Sequence, residues 1–437
     1  YTTAKYGEIF ISSDAKSASW VTDDWTLATR PGWNGKYYYT SEANITHLWH
    51  FDEGTGTTAT DLVGGNTITI PTPTWSTSVL CAELKRRVDT TGSGDFAFTG
   101  VDSMYGTPVL FFINGETVKG ALLTNLTEGT TAVTGVTMEQ DTMVIGDTNL
   151  NPSVTYATAN TVAPTATTDY CFRATSNILY YRDGCDVLIP TSCTYSNYAI
   201  RQDTSETGSI TIAGTFGGTT PVLESPTSIT ISGTTGTGWV PMDNATCDVT
   251  VSGYSKIQSN GAGIRDLTIA SGGEASCFGN ILGDLDNQGT FHSQGIHFYG
   301  DINNEGTWDG AGNTWLMDDC TLTGTGITFY YLKLTAGKTY TFQDGETYTL
   351  ADETPDFNGT VGSLVTLRST TPGTRFTIDN ASVGAMTFSY MDIQDSQVSG
   401  SDINAKRSID SGNTDKLSAT PHWVFWEYQK GFRINHN

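Results

Sequence analysis

The chain reads as an all-β protein, a β-sandwich-like N-terminal region followed by an elongated β-solenoid of the right-handed β-helix type, and three observations carry that reading. Two stretches, Gly283-Asp284-Leu285-Asp286-Asn287-Gln288-Gly289-Thr290-Phe291 and Gly300-Asp301-Ile302-Asn303-Asn304-Glu305-Gly306-Thr307-Trp308, nearly repeat each other seventeen residues apart. The inward aliphatic residue, the turn Asn and Gly and the closing aromatic fall in register, as stacked short rungs require. Second, strand-plus-glycine units recur about every twenty residues at 209–214, 228–233, 247–253 and 267–272, each alternating aliphatic residues with Thr or Ser. Third, 48 Gly with 20 Tyr, 18 Phe and 10 Trp suit turns and pleated, half-buried surfaces better than helices.

Taken in order, residues 1–45 form an arm. It opens with the alternating Ile9-Phe10-Ile11 and then carries Trp20, Trp25, Trp33 and Tyr37-Tyr38-Tyr39. So many rings leave too much apolar area for a solvated tail, so the arm is expected to dock on its own chain or on a neighbour. Residues 46–168 are assigned to the sandwich-like region, with Asn114-Gly115 as a hairpin turn and a Pro- and Thr-rich connector at 152–168. Residues 169–425 are assigned to the solenoid and 426–437 to an extension strand. That extension sets Tyr428, Lys430, Phe432, Arg433 and Ile434 on an otherwise acidic chain. With Ile9, Phe10 and Ile11 these are the candidate subunit-interface residues, because a bare solenoid end offers unpaired backbone to an added strand. The tail either caps its own stack or exchanges with the next subunit, and head-to-tail contacts of the second kind give polymers.

Forty-six Asp and Glu against 22 Lys and Arg give a formal charge of −24, which repels phosphate backbones and anionic headgroups. Nucleic acid is therefore not an expected partner, and no apolar run is long enough for a membrane helix. The chain starts at Tyr1 without a leader, as a processed extracellular protein would. Seven cysteines, Cys81, Cys171, Cys185, Cys193, Cys247, Cys277 and Cys320, lack zinc spacing, and in an exported chain they imply three disulfides with one thiol left over. Sequons at Asn44, Asn125, Asn244, Asn358 and Asn380 are candidate glycosylation sites.

No catalytic elbow, zinc helix or phosphate loop is present, and no cofactor is expected. His47 and His50 fall on opposite faces of a strand and make a poor metal pair. Asp284 with Asp301, Asp318 with Asp319 and Asp392 with Asp395 are carboxylate pairs of the kind glycoside hydrolysis needs, but an acidic chain supplies such pairs freely. Asp284 and Asp301 are instead expected to cap turns or to stack in a ladder with Asn287 and Asn304. Structural calcium between rungs is the one metal considered.

Three resemblances add to this. The stretch His47-Leu48-Trp49-His50-Phe51-Asp52-Glu53-Gly54-Thr55-Gly56, with Ala59-Thr60-Asp61, resembles the opening of laminin-G-like, concanavalin-type jelly rolls, which implies a sandwich there. Residues 107–116 and 136–146 resemble a module of very large microbial surface proteins. The pattern over 361–425, including Leu364-Val365-Thr366-Leu367, Tyr390-Met391-Asp392-Ile393 and Trp423-Val424-Phe425, resembles the closing part of β-helix modules of such proteins. What these imply is a structural subunit of an extracellular filament, sheath or surface layer. A glycan-binding adhesin acting through residues 46–150 is the alternative, and a polysaccharide-degrading β-helix enzyme the second.

Overall fold

The computed structural model describes short strands between residues 8 and 133. It then describes most of residues 138–426, except 148–149, 151, 156–171, 176–177, 182–183, 197–198, 203–207, 218–221, 225–226, 237, 243–245, 352–354, 383 and 416–420. Every regular element described is a strand, and no helix among these residues is long and apolar enough to cross a membrane. The chain divides into two units at Phe98/Thr99.

In the first unit, Glu8–Ser12 pairs antiparallel with Ile45–His50, placing Ile9 opposite Trp49 and Phe10 opposite Leu48. Thr58–Thr60 pairs antiparallel with Thr67–Thr69. The arm's first strand is thus paired within its own unit. Residues 51–57 and 61, which complete the jelly-roll resemblance, lie outside the described residues.

The second unit is a β-solenoid of about 12 turns. Its longest wall is a 15-stranded sheet running from Thr107–Phe112 to Ile409–Gly412. The first pair, Thr107–Phe112 with Ala121–Leu126, is antiparallel, and from Ala121–Leu126 onward every step is parallel. The solenoid therefore takes in strands before residue 169: Ala121–Leu126 and Thr142–Ile145, expected in the sandwich-like region, are its first parallel strands.

Parallel stacking puts like on like. Met143, Val187, Ile210, Ile229, Val249, Leu267, Leu285, Ile302, Leu322 and Phe342 are successive register partners, and all are buried. Each fully buried aliphatic chain contributes roughly 1.5–3 kcal/mol, and none could bury itself without the rungs on either side, which is why the stack folds as an array. The neighbouring outward column is polar, with Thr211, Thr230, Thr250, Thr268, Asp286, Asn303 and Thr323 in register. Within it Asn303 Nδ2 donates to Asp286 Oδ1 (3.0 Å) and Thr323 Oγ1 to Asn303 Oδ1 (3.1 Å).

The second inward column changes character at the paired rungs. Ile212, Ile231, Val251 and Ile269 are followed by Asn287 and Asn304, both with no solvent exposure. Asn287 Nδ2 donates to Asn304 Oδ1 (2.6 Å) and to the Thr307 carbonyl (3.0 Å), and Asn287 Oδ1 accepts from Gly289 N–H (3.2 Å). Asn304 Nδ2 reaches the Thr325 carbonyl (2.6 Å). Buried amides are tolerated only when their donors and acceptors are matched, and here they hold the turn that follows each strand.

The other walls are built from Glu274–Ile281, Thr290–Phe298, Asn313–Leu316 and Tyr331–Leu334 in the middle. Toward the C-terminal end they are Thr347–Leu350, Phe376–Asn380 and Ser396–Gly400, and Met386–Ser389, Ile403–Lys406 and Trp423–Trp426. Two buried tyrosines brace the corners: Tyr340 Oη donates to the Leu316 carbonyl (2.9 Å) and Tyr348 Oη to the Leu322 carbonyl (2.8 Å). Burial pushes both phenols well above their ordinary pKa.

Candidate assembly interface

The candidate site is the last rung among the described residues. Ile409–Gly412 pairs only with Met391–Gln394, and Trp423–Trp426 only with Ile403–Lys406, among the described residues. Each is thus the last strand of its sheet among the described residues, the position at which a sheet can be extended. Two large apolar side chains sit at this end in the open, Ile409 at 51% and Trp426 at 56% exposure. Their neighbours are anchored: Trp423 is fully buried, with Nε1 donating to Ser396 Oγ (3.1 Å), and Trp426 Nε1 donates to Asn404 Oδ1 (3.0 Å). The edge is thus held in place by the rung beneath it. At the opposite end of the long sheet Thr107–Phe112 has a single described neighbour, and Leu110 and Phe112 are half-buried.

Of the interface residues expected from sequence, Ile9, Phe10 and Ile11 lie on the paired strand of the first unit. Tyr428, Lys430, Phe432, Arg433 and Ile434 lie outside the described residues. What sequence reading passed over was Ile409, an aliphatic residue at an outward position, in register with Asp392.

The disulfide expectation is corrected. Cys185, Cys193, Cys247, Cys277 and Cys320 are all buried thiols, leaving only Cys81 and Cys171, which lie outside the described residues. The five described cysteines occupy buried positions, where a thiol packs as a small apolar group; Cys277, for example, is in register with Ile257. Burial pushes the Cys193 thiol up to about 11 and, helped by Asp248, that of Cys247 up to about 12, and it raises Cys277 and Cys320 further still. None is a ready nucleophile.

Two sequons are corrected as well. Asn125 and Asn380 are buried, with Asn125 Nδ2 on the Ser153 carbonyl (2.9 Å) and Asn380 Nδ2 on the Gly384 (3.1 Å) and Asp402 (3.2 Å) carbonyls, so neither amide can carry a glycan in this fold. Asn358 is exposed, its Oδ1 accepting from Ser389 N–H (2.9 Å). Asn44 and Asn244 lie outside the described residues.

The aspartates serve the turns. Asp284 N–H donates to Asp266 Oδ1 (2.9 Å), Asp301 N–H to Asp284 Oδ1 (2.7 Å) and Thr321 N–H to Asp301 Oδ1 (2.7 Å). Each carboxylate thereby caps the next rung's first amide, the ladder expected from sequence. Asp318 pairs with Lys338 (2.5 Å), whose hydrogen bond holds its carboxyl below the ordinary range. Asp392 pairs with Arg368 (2.7 Å), and Asp395 accepts from Asn413 Nδ2 (2.7 Å). No group of three or more His, Cys, Asp or Glu among the described residues is placed to hold a metal ion, so no calcium position is assigned.

No family model, curated protein or solved structure matches this chain. The solenoid itself is what the geometry establishes.

Proposed function

We propose that this chain is a structural subunit of an extracellular surface assembly, joined to its neighbours through the ends of the solenoid. The observation that carries the reading is the C-terminal rung, where Ile409–Gly412 and Trp423–Trp426 each have one strand neighbour among the described residues and the large apolar Ile409 and Trp426 stand exposed. A soluble chain usually protects the end of a sheet with charge or proline; this one sets the apolar Ile409 and Trp426 in the open beside the charged Lys406, Arg407 and Asp410. A strand from a second copy added at this end would cover both side chains. Because the two ends of the sheet differ, the contact is heterologous and need not close. The extracellular setting rests on the resemblance of residues 361–425 to surface-protein modules; the reduced thiols lend it no support.

The double variant Ile409→Lys/Trp426→Lys tests the reading. Lysine on an edge discourages strand addition, while substitutions at half-exposed sites alter stability by only about 0.5 kcal/mol. Sedimentation velocity is expected to show polymers for the unmodified chain and a single small species for the variant at an unchanged melting temperature. Identical size distributions would defeat the proposal.

A further inference from the structure

The last described rung covers one wall of the solenoid with a side chain rather than a strand. In the rung before it Met391–Gln394, Ser396–Gly400 and Ile403–Lys406 lie on three sheets, and among the described residues the next strands, Ile409–Gly412 and Trp423–Trp426, continue only the first and the third. Between them Asn413, Thr414 and Asp415 lie along the edge of Ser396–Gly400. Asp415 N–H donates to the Ser396 carbonyl (3.3 Å), and Asp415 Oδ2 accepts from Val398 N–H (2.9 Å), so the carboxylate stands where the carbonyl of a next strand would. The segment is held from three sides. Arg375 donates through Nε to the Asn413 carbonyl (2.8 Å) and through Nη2 to that of Thr414 (3.2 Å), Asn413 Nδ2 donates to Asp395 Oδ1 (2.7 Å), and Thr414 Oγ1 donates to Asp410 Oδ1 (2.9 Å). Asp415 itself is 8% exposed, and its second oxygen, Oδ1, is buried without a hydrogen-bond partner among the described residues.

We propose that residues 413–415 form a plug over the edge of Ser396–Gly400 that closes more tightly when Asp415 takes up a proton. A buried carboxylate keeps its charge at a cost unless its oxygens are matched, and here one of the two is not. A proton on Oδ1 removes the charge while Oδ2 goes on accepting from Val398 N–H. Burial raises the Asp415 pKa above the ordinary carboxylate value, against the pull of the Val398 and Trp423 amides and of Arg375. Arg375, from the turn before Phe376–Asn380, is the cation that faces the plug among the described residues. Asp395 and Asp410 hold Asn413 and Thr414, and His422, beside Trp423, is turned to Asp402 (3.4 Å). Opening the plug returns Asp415 to water and to an ordinary pKa, so the closed state binds the proton more tightly. Its stability relative to the open state therefore rises as pH falls through the raised pKa and levels off below the ordinary aspartate value of about 4. At higher pH the plug loosens. An added strand can reach the Val398 amide only when the plug is open, so the device governs access to this wall. It belongs to the single chain and holds whether or not copies assemble.

Hydrogen exchange of the full chain tests it, followed by mass spectrometry at about pH 5 and about pH 7.5 and corrected for the intrinsic pH dependence of amide exchange. Protection of Ser396–Gly400, which contains the Val398 amide, is expected to be greater at the lower pH by at least about twofold beyond any change in Val365–Ser369, the internal reference. Asp415→Asn keeps the shape and the acceptor but cannot titrate, and it is expected to remove that excess, with its folding read independently by thermal unfolding. Should the variant fail to fold, the two segments of the unmodified chain decide by themselves. An equal pH response in both segments of the unmodified chain, or an excess that survives in folded Asp415→Asn, would overturn the proposal.

Discussion

Replacing Asn287 with leucine is expected to destabilise the protein by roughly 2–4 kcal/mol, although leucine extends an aliphatic column. Leucine adds a buried apolar side chain beside Ile269, worth about 1.5–3 kcal/mol in isolation. Against that, Gly289 N–H, the Thr307 carbonyl and Asn304 Oδ1 all lose the partner that Asn287 supplies, and each buried orphan costs about 1–3 kcal/mol. Three losses outweigh one gain. The paired variant Asn287→Leu/Asn304→Leu removes the orphaned Asn304 oxygen, so chemical denaturation is expected to show the two changes costing less together than their sum by about 1 kcal/mol. Strict additivity would mean that the amide-to-amide bond contributes nothing.

The larger effect is expected at Gly253. A Cβ added there would sit 1.9 Å from the Gly233 carbonyl oxygen and 2.6 Å from that of Ser232, and one on Gly233 would sit 1.9 Å from the Gly214 oxygen. These obstacles are backbone atoms of the adjacent rung, which cannot swing aside. Gly253→Val is expected to cost at least about 4 kcal/mol, in the range reserved for severe disruption, and to abolish the cooperative transition in calorimetry. Gly272→Ala supplies the contrast. Its φ is +83° but a Cβ would meet nothing within 4 Å, so only the left-handed conformation is penalised, at about 1–2 kcal/mol. If both variants melted alike, rung-to-rung crowding would not explain the glycines.

The repeated rungs were the most legible part of the chain. Leu285 and Ile302 fall in one column, Asp284 caps the next rung, and Asn287 meets Asn304, as matching residue types at matching positions imply. Legibility failed where the signal was not periodic. Ala121–Leu126 is buried at every position, so it shows no alternation to link it with later strands, and only its parallel pairing with Thr142–Ile145 reveals that the solenoid has begun. The cysteines misled because an inward stack position accepts a thiol as readily as valine, and sequence alone does not separate the two uses. Asn125 and Asn380 match a sequon in letters, yet both amides are spent on backbone carbonyls.

The proposed assembly requires copies of the chain to join end to end through the solenoid. Electron microscopy of the purified chain, with power spectra computed from any filaments, tests this directly. End-to-end stacking predicts filaments whose spectra carry a meridional reflection near 4.8 Å, the strand spacing continued along the axis, and predicts their loss in Ile409→Lys/Trp426→Lys. Dispersed single particles at every concentration, or filaments that persist in that variant, would contradict it.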